Sequence, residues 1–139
     1  MNIVDAVRKI PNAEFASQNT NLMDIRIAEQ ALDIHFPIEY TTMLMCTGAL
    51  RCPFLNICGF DEDSVNNVVE QTKKQRLMSG IPKNYFVLER PTVDGIVLLQ
   101  STEGDVVECD NGKITKKLAP SLKEYILQLF YCFSRQKSA

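Results

Sequence analysis

The chain has 139 residues, 45% of them apolar, and a formal net charge of −2. That length suits one domain over residues 1–139 with a sizeable core, and no apolar run approaches the roughly 20 residues a membrane helix needs. The near-neutral, slightly acidic balance argues against a general nucleic-acid binder.

The opening "MNIVDAVRKIPNAEF" has no basic flank before a long apolar run, so the expected location is the cytoplasm. Residues 1 to 10 read as a short helix with Ile3, Val7 and Ile10 on one side. After the polar stretch "SQNTN", Asn21 is placed to cap a helix running to about Asp33. Met23, Ile27 and Ala31 share one of its faces with Ala28 and Leu32, and this face is expected to point inward.

The next helix carries punctuation at both ends. Pro37 stands at its first turn, where the missing N–H had no partner anyway. Tyr40, Met43 and Leu44 form its apolar stripe, and Gly48 follows it, where a left-handed conformation costs glycine little. Residues 54–58, "FLNIC", read as a strand. Asp63 or Ser64 then caps a helix with Val65, Val68, Val69 and Thr72 inward, and Lys73, Lys74 and Arg76 suit the negative end of its dipole.

The second half reads as a meander of strands at 85–89, 95–100, 105–109 and 113–117. Asn111-Gly112 is a strong hairpin signal. It sets Asp110 opposite Lys113, Cys109 opposite Ile114 and Glu108 opposite Thr115, with Cys109, Ile114 and Val107 on one face and Glu108 and Asp110 on the other. Ser121 and Glu124 form a capping box for a closing helix. There Leu122, Tyr125, Ile126, Leu129, Phe130 and Phe133 follow helical spacing. The fold class is α+β: several helices on an antiparallel sheet of four to six strands.

Five cysteines and one histidine raise the question of a metal or thiol site. None of the cysteines is in a CxxC pair, and in a cytoplasmic protein they read as reduced thiols. Cys46, Cys52 and Cys58 are spaced too widely for a zinc knuckle. His35 and Cys46 lie about 16 Å apart along a helix. No metal and no cofactor is expected. A thiol enzyme needs a base beside its cysteine, and nothing in the local sequence marks a nucleophile. No catalytic residue is assigned.

Charge is distributed unevenly. Residues 91–112 carry Asp94, Glu103, Asp105, Glu108 and Asp110 with no basic residue, and residues 59–70 carry Asp61, Glu62, Asp63 and Glu70, again with none. Such segments suit an ordinary solvated surface and also suit steering of a basic protein partner. The eight acids other than Glu70 are the candidate partner-binding residues.

The stretch "ALDIHFPIEYTTMLMCTGAL", followed by "YFVLE", "DGIVLLQSTEGDVVECD" and "LAPSLKEYIL", resembles the SUKH superfamily. That superfamily includes bacterial immunity proteins and fungal cell-wall-assembly regulators. The resemblance covers about residues 22 to 130. Two features depart from the pattern. The glycine turn reads Thr47-Gly48-Ala49, and Cys109 stands where an aromatic is common in a chain that has no Trp. The resemblance implies a protein-binding domain that is not an enzyme. Its expected role is that of an immunity protein neutralising a cognate toxin, often a nuclease, with a basic surface. The alternatives are a regulatory or scaffold module binding a host protein, and a thiol enzyme. No membrane contact and no direct nucleic-acid binding is expected.

Overall fold

Each strand of the sheet lies beside the one that precedes it in sequence. A computed structural model describes residues 2–8, 14–15, 21–47, 50–52, 55–60, 67–89 and 95–129. Its strands are β1 (Glu14–Phe15), β2 (Leu50–Cys52), β3 (Leu55–Ile57), β4 (Tyr85–Glu89), β5 (Ile96–Ser101), β6 (Val106–Asp110) and β7 (Lys113–Ala119). Every pairing is antiparallel, and spatial order equals chain order. The helices are α1 (Ile3–Arg8), α2 (Leu22–Leu32), α3 (Ile38–Thr47), α4 (Val68–Ser79) and α5 over 122–129. The class is α+β, as read from sequence. Four strands, β4 to β7, form the body of the sheet, and β1 to β3 extend it with pieces of two or three residues.

The caps follow side-chain chemistry. Asn21 Oδ1 accepts from the Asp24 N–H at 2.8 Å and starts α2. The inward face of α2 is only partly the expected one: Ala28 and Leu32 point inward as expected, and Met23, Ile27 and Ala31 do not. Ile25, Ala28, Glu29 and Leu32 are buried, whereas Met23 and Ile27 are 68% and 57% exposed and Ala31 is exposed too. At 100° per residue Met23, Ile27 and Ala31 lie on nearly the opposite side from Ile25 and Glu29, with Ala28 and Leu32 between the two. Either could have packed inward, and periodicity alone does not choose between them.

Asn67 caps α4, its Oδ1 accepting from Val69 N at 3.0 Å and Glu70 N at 3.1 Å. The expected caps Asp63 and Ser64, with Val65, lie outside the described residues. Val68 and Thr72 are buried as expected, joined by Gln71 and Gln75. The helix runs on to Ser79, so Arg76 alone of the three cations reaches its last turn. Ser121 Oγ accepts from Glu124 N at 3.2 Å, one half of the expected capping box. Leu122, Tyr125 and Ile126 are buried and Leu129 is half-buried; Phe130 and Phe133 lie outside the described residues.

The core centres on an aromatic cluster. Phe36, Tyr40 and Phe86 have ring centroids 4.8 to 5.1 Å apart, within the range of favourable aromatic pairs. The fully buried Tyr40 hydroxyl donates to the Cys58 carbonyl at 2.6 Å. Burial, with a smaller contribution from Cys58, holds the Tyr40 phenol well above its usual pKa. Beside the β4 bulge, Thr72 of α4 accepts from the Val87 N–H at 3.0 Å, which ties α4 to the sheet.

The Asn111-Gly112 turn has positive φ at both residues, as a two-residue hairpin requires. Asp110 pairs with Lys113 and Cys109 with Ile114, as expected. Glu108 pairs with Lys116 rather than Thr115, because the register shifts after Cys109. Thr115 is the extra residue on β7, and a second shift makes Leu118 another. Ile114 is at the border of exposure, at 36%. Gly112 has a further duty: a Cβ there would lie 1.8 Å from the Ser79 carbonyl oxygen. The hairpin tip therefore rests on the end of α4 with no room for a side chain.

Candidate protein-binding groove

The loop from α2 to α3 is held from both sides. Asp33 takes the left-handed conformation that ends α2. The buried Glu29 then reaches forward, its Oε2 accepting from the Phe36 N–H at 2.8 Å. His35 Nδ1 lies 3.6 Å from the same oxygen, and Arg26 lies 3.4 Å from Oε1. Glu39, in the first turn of α3, accepts from the Leu122 N–H at 3.0 Å. One carboxylate thus fixes the loop, and another caps α5 from 83 residues away.

The turn from β5 to β6 is equally fixed. Ser101 Oγ accepts from Glu103 N at 3.2 Å and Asp105 N at 3.1 Å. Thr102 N donates to Asn84 O at 3.0 Å, which joins this turn to the segment between α4 and β4. Arg76 donates to the Lys83 carbonyl at 3.0 Å and steadies the same segment. Burial lowers the pKa of Arg76, and nearby Asp33 opposes that shift.

These fixed pieces enclose an open groove of about 860 Å³. Ile34, Phe36, Pro37 and Pro120 supply apolar lining, and Ile38 stands on it 84% exposed. Its ionisable residues are Asp33, Glu39, Glu103, Lys83 and His35. Lys83 Nζ lies 3.5 Å from Asp33, so that pair cancels. Among the described residues no cation lies within 4 Å of Glu39 or Glu103.

The eight predicted residues divide sharply. Asp61, Glu62, Asp63 and Asp94 lie outside the described residues. Glu103 is exposed and lines the groove. Asp105 is paired with Lys117 at 3.2 Å. Glu108 and Asp110 sit across β7 from Lys116 and Lys113. The structure brings Glu103 together with Asp33, His35, Ile38, Glu39 and Lys83, none of which the acidic-segment reading had selected. A signal existed for Ile38, since helical spacing puts it opposite the Tyr40, Met43 and Leu44 stripe.

Catalytic chemistry finds little to work with among the described residues. Cys58 and Cys109 are fully buried. Burial raises the Cys109 thiol, outweighing a hydrogen bond from the Gly112 backbone, the reverse of an activated nucleophile. Cys46 is exposed. Among the described residues no three His, Cys, Asp or Glu side chains gather as metal ligands. No helix among them is long and apolar enough to cross a membrane.

A family model, SUKH_5, described as SMI1-KNR4 cell-wall, matches residues 2–131. A comparison with curated proteins finds no match.

Proposed function

This chain belongs to the SUKH_5, SMI1-KNR4 cell-wall family, and from that premise we propose that it is an immunity protein that binds and neutralises a cognate toxin. Membership supports a protein-interaction module. The finer reading is a cytoplasmic domain that is not an enzyme and acts by occluding a basic surface, such as that of a nuclease toxin. Occlusion asks only for a fixed surface of the right shape and charge.

The observation that carries the reading is the groove. Its rims are locked by hydrogen bonds, an apolar side chain stands exposed on it, and its unmatched charges are both carboxylates. A large apolar residue ringed by polar groups is the usual make-up of a protein-binding patch. Of the acidic residues, Glu103 is assigned to the partner-facing surface directly. Asp61, Glu62, Asp63 and Asp94 are assigned on charge alone. Asp105, Glu108 and Asp110 act at its margin, with their fields reduced by lysines of β7.

The test is to read the genes on either side of the one for this chain and to co-express it with a toxin-like domain found there. The expected result is restored growth and a stable complex of the two proteins on gel filtration. Growth arrest with no complex overturns the reading. A complex without protection points instead to a regulatory or scaffold module.

A further inference from the structure

We infer that the groove receives an extended segment of the partner in which a lysine or arginine stands beside an apolar side chain. This inference rests on the protein-binding reading above and adds the chemistry of the occupant. The two unmatched carboxylates, Glu39 and Glu103, come from different elements that meet at the groove. The Glu39 carboxylate keeps one oxygen on the Leu122 N–H, which leaves its charge unopposed by any cation among the described residues. Glu103 is exposed, and its backbone is pinned by Ser101. A carboxylate held by a hydrogen bond and a second one on a pinned backbone, over a low-dielectric lining, attract a cation more strongly than the same charges on a mobile loop.

The apolar half of the recognition comes from Ile38 and its neighbours. Ile38 is 84% exposed, and Phe36, Pro37 and Pro120 line the groove beside it. An apolar side chain of the occupant covers Ile38 and excludes water from the nearby charge pair, the arrangement that makes an interface contact strong. An acidic segment is repelled by both carboxylates.

The probe is a capped synthetic peptide alternating lysine and leucine, with its glutamate–leucine counterpart as control. The readout is backbone amide chemical shifts of the whole chain. The expected result is that the basic peptide moves the resonances of 34–36, 38–39, 83–84 and 102–104, and the acidic peptide does not. Glu103→Gln combined with Ile38→Ser is expected to weaken the basic peptide roughly tenfold. Both positions are exposed, and an otherwise unchanged amide spectrum confirms that the fold is kept. Shifts centred on the β6–β7 turn overturn the inference, as do equal responses to the two peptides, no response, or affinity untouched by the variants. A chain that protects against its toxin yet fails this test keeps the immunity reading and loses the groove. One that takes the peptide but does not protect keeps the groove and loses the toxin.

Discussion

The β6–β7 hairpin and the groove both carry acidic side chains, yet those of the hairpin stand opposite lysines of β7 and two of those in the groove face no cation among the described residues. On the hairpin, Asp105 pairs with Lys117 at 3.2 Å, and Glu108 and Asp110 stand opposite Lys116 and Lys113 in the strand register. In the groove, Asp33 meets Lys83, while Glu39 and Glu103 have no cation within 4 Å among the described residues. A run of like charge along a chain therefore says little about a surface until the opposite strand is known. The lysines also serve β7 in another way. It is one of the two edge strands of the described sheet, and charged side chains with two bulged residues blunt an edge that could otherwise pair with another chain.

The sharpest way to separate the two regions is to break the hairpin without touching charge. Gly112→Ala places a methyl 1.8 Å from the Ser79 carbonyl oxygen at a residue with φ +82°. The expected cost is about 3 kcal/mol or more, read from denaturant unfolding. Gly95→Ala is the matched control, with φ +80° and nothing within 4 Å. Conformational strain alone should cost it about 1–2 kcal/mol. Equal losses for the two would mean that the hairpin tip does not rest on α4.

Each region also stands on a buried tyrosine. Tyr40 lies under the groove loop through Phe36. Tyr125 donates to Glu89 at 3.1 Å, on the cross-strand row Glu89, Leu98, Glu108 and Lys116 that leads to the hairpin. Burial raises both phenols; at Tyr125 the carboxylate of Glu89, and more weakly Glu108, add to it. Above the ordinary tyrosine pKa of 10.0 the unfolded chain releases protons that the folded chain keeps. Stability is thus fully present below that pH and is lost as pH rises past it. The slope should reach about 1.4 kcal/mol per pH unit for each tyrosine. Unfolding measured from pH 8 to 11 should show it, and Tyr125→Phe should remove the part that belongs to the hairpin side. A flat profile would contradict the burial of both hydroxyls.

Inside the groove, two carboxylates should respond differently. Glu39→Ala leaves the Leu122 N–H without its acceptor and should cost about 1–2 kcal/mol of stability. Glu103→Gln should change stability by no more than about 0.5 kcal/mol and slow association with a basic partner several-fold at low salt. That difference should shrink as the screening length falls to about 8 Å. Asp105→Asn, made alone, should leave the association rate nearly unchanged, because Lys117 already offsets its charge. Equal slowing by Glu103→Gln and Asp105→Asn would return the steering role to the hairpin.

Local chemistry made much of the fold legible in the sequence. Asn21, Ser121 and Asn111-Gly112 act through their nearest neighbours, and each does what its residue type requires. The errors arose where distant packing chose between equivalent local options. The outward turn of Met23 and Ile27 is one case, and the bulge that moves Glu108 from Thr115 to Lys116 is another. The groove was hidden for the same reason. Its pieces come from four parts of the chain, and the bond from Glu39 to Leu122 that helps assemble them spans 83 residues.

The sequential order of the strands has a consequence for how the chain is made. β4, β5, β6 and β7 pair only with strands next to them in the chain, so each loop to be closed is short and the entropy of closing it small. A chain leaving the ribosome always presents, as its newest finished strand, the edge on which the following strand will form. Glu39, by contrast, must wait with an empty oxygen until residue 122 is made. The groove is therefore finished only when α5 is made, together with the part of the core that Leu122 and Ile126 fill.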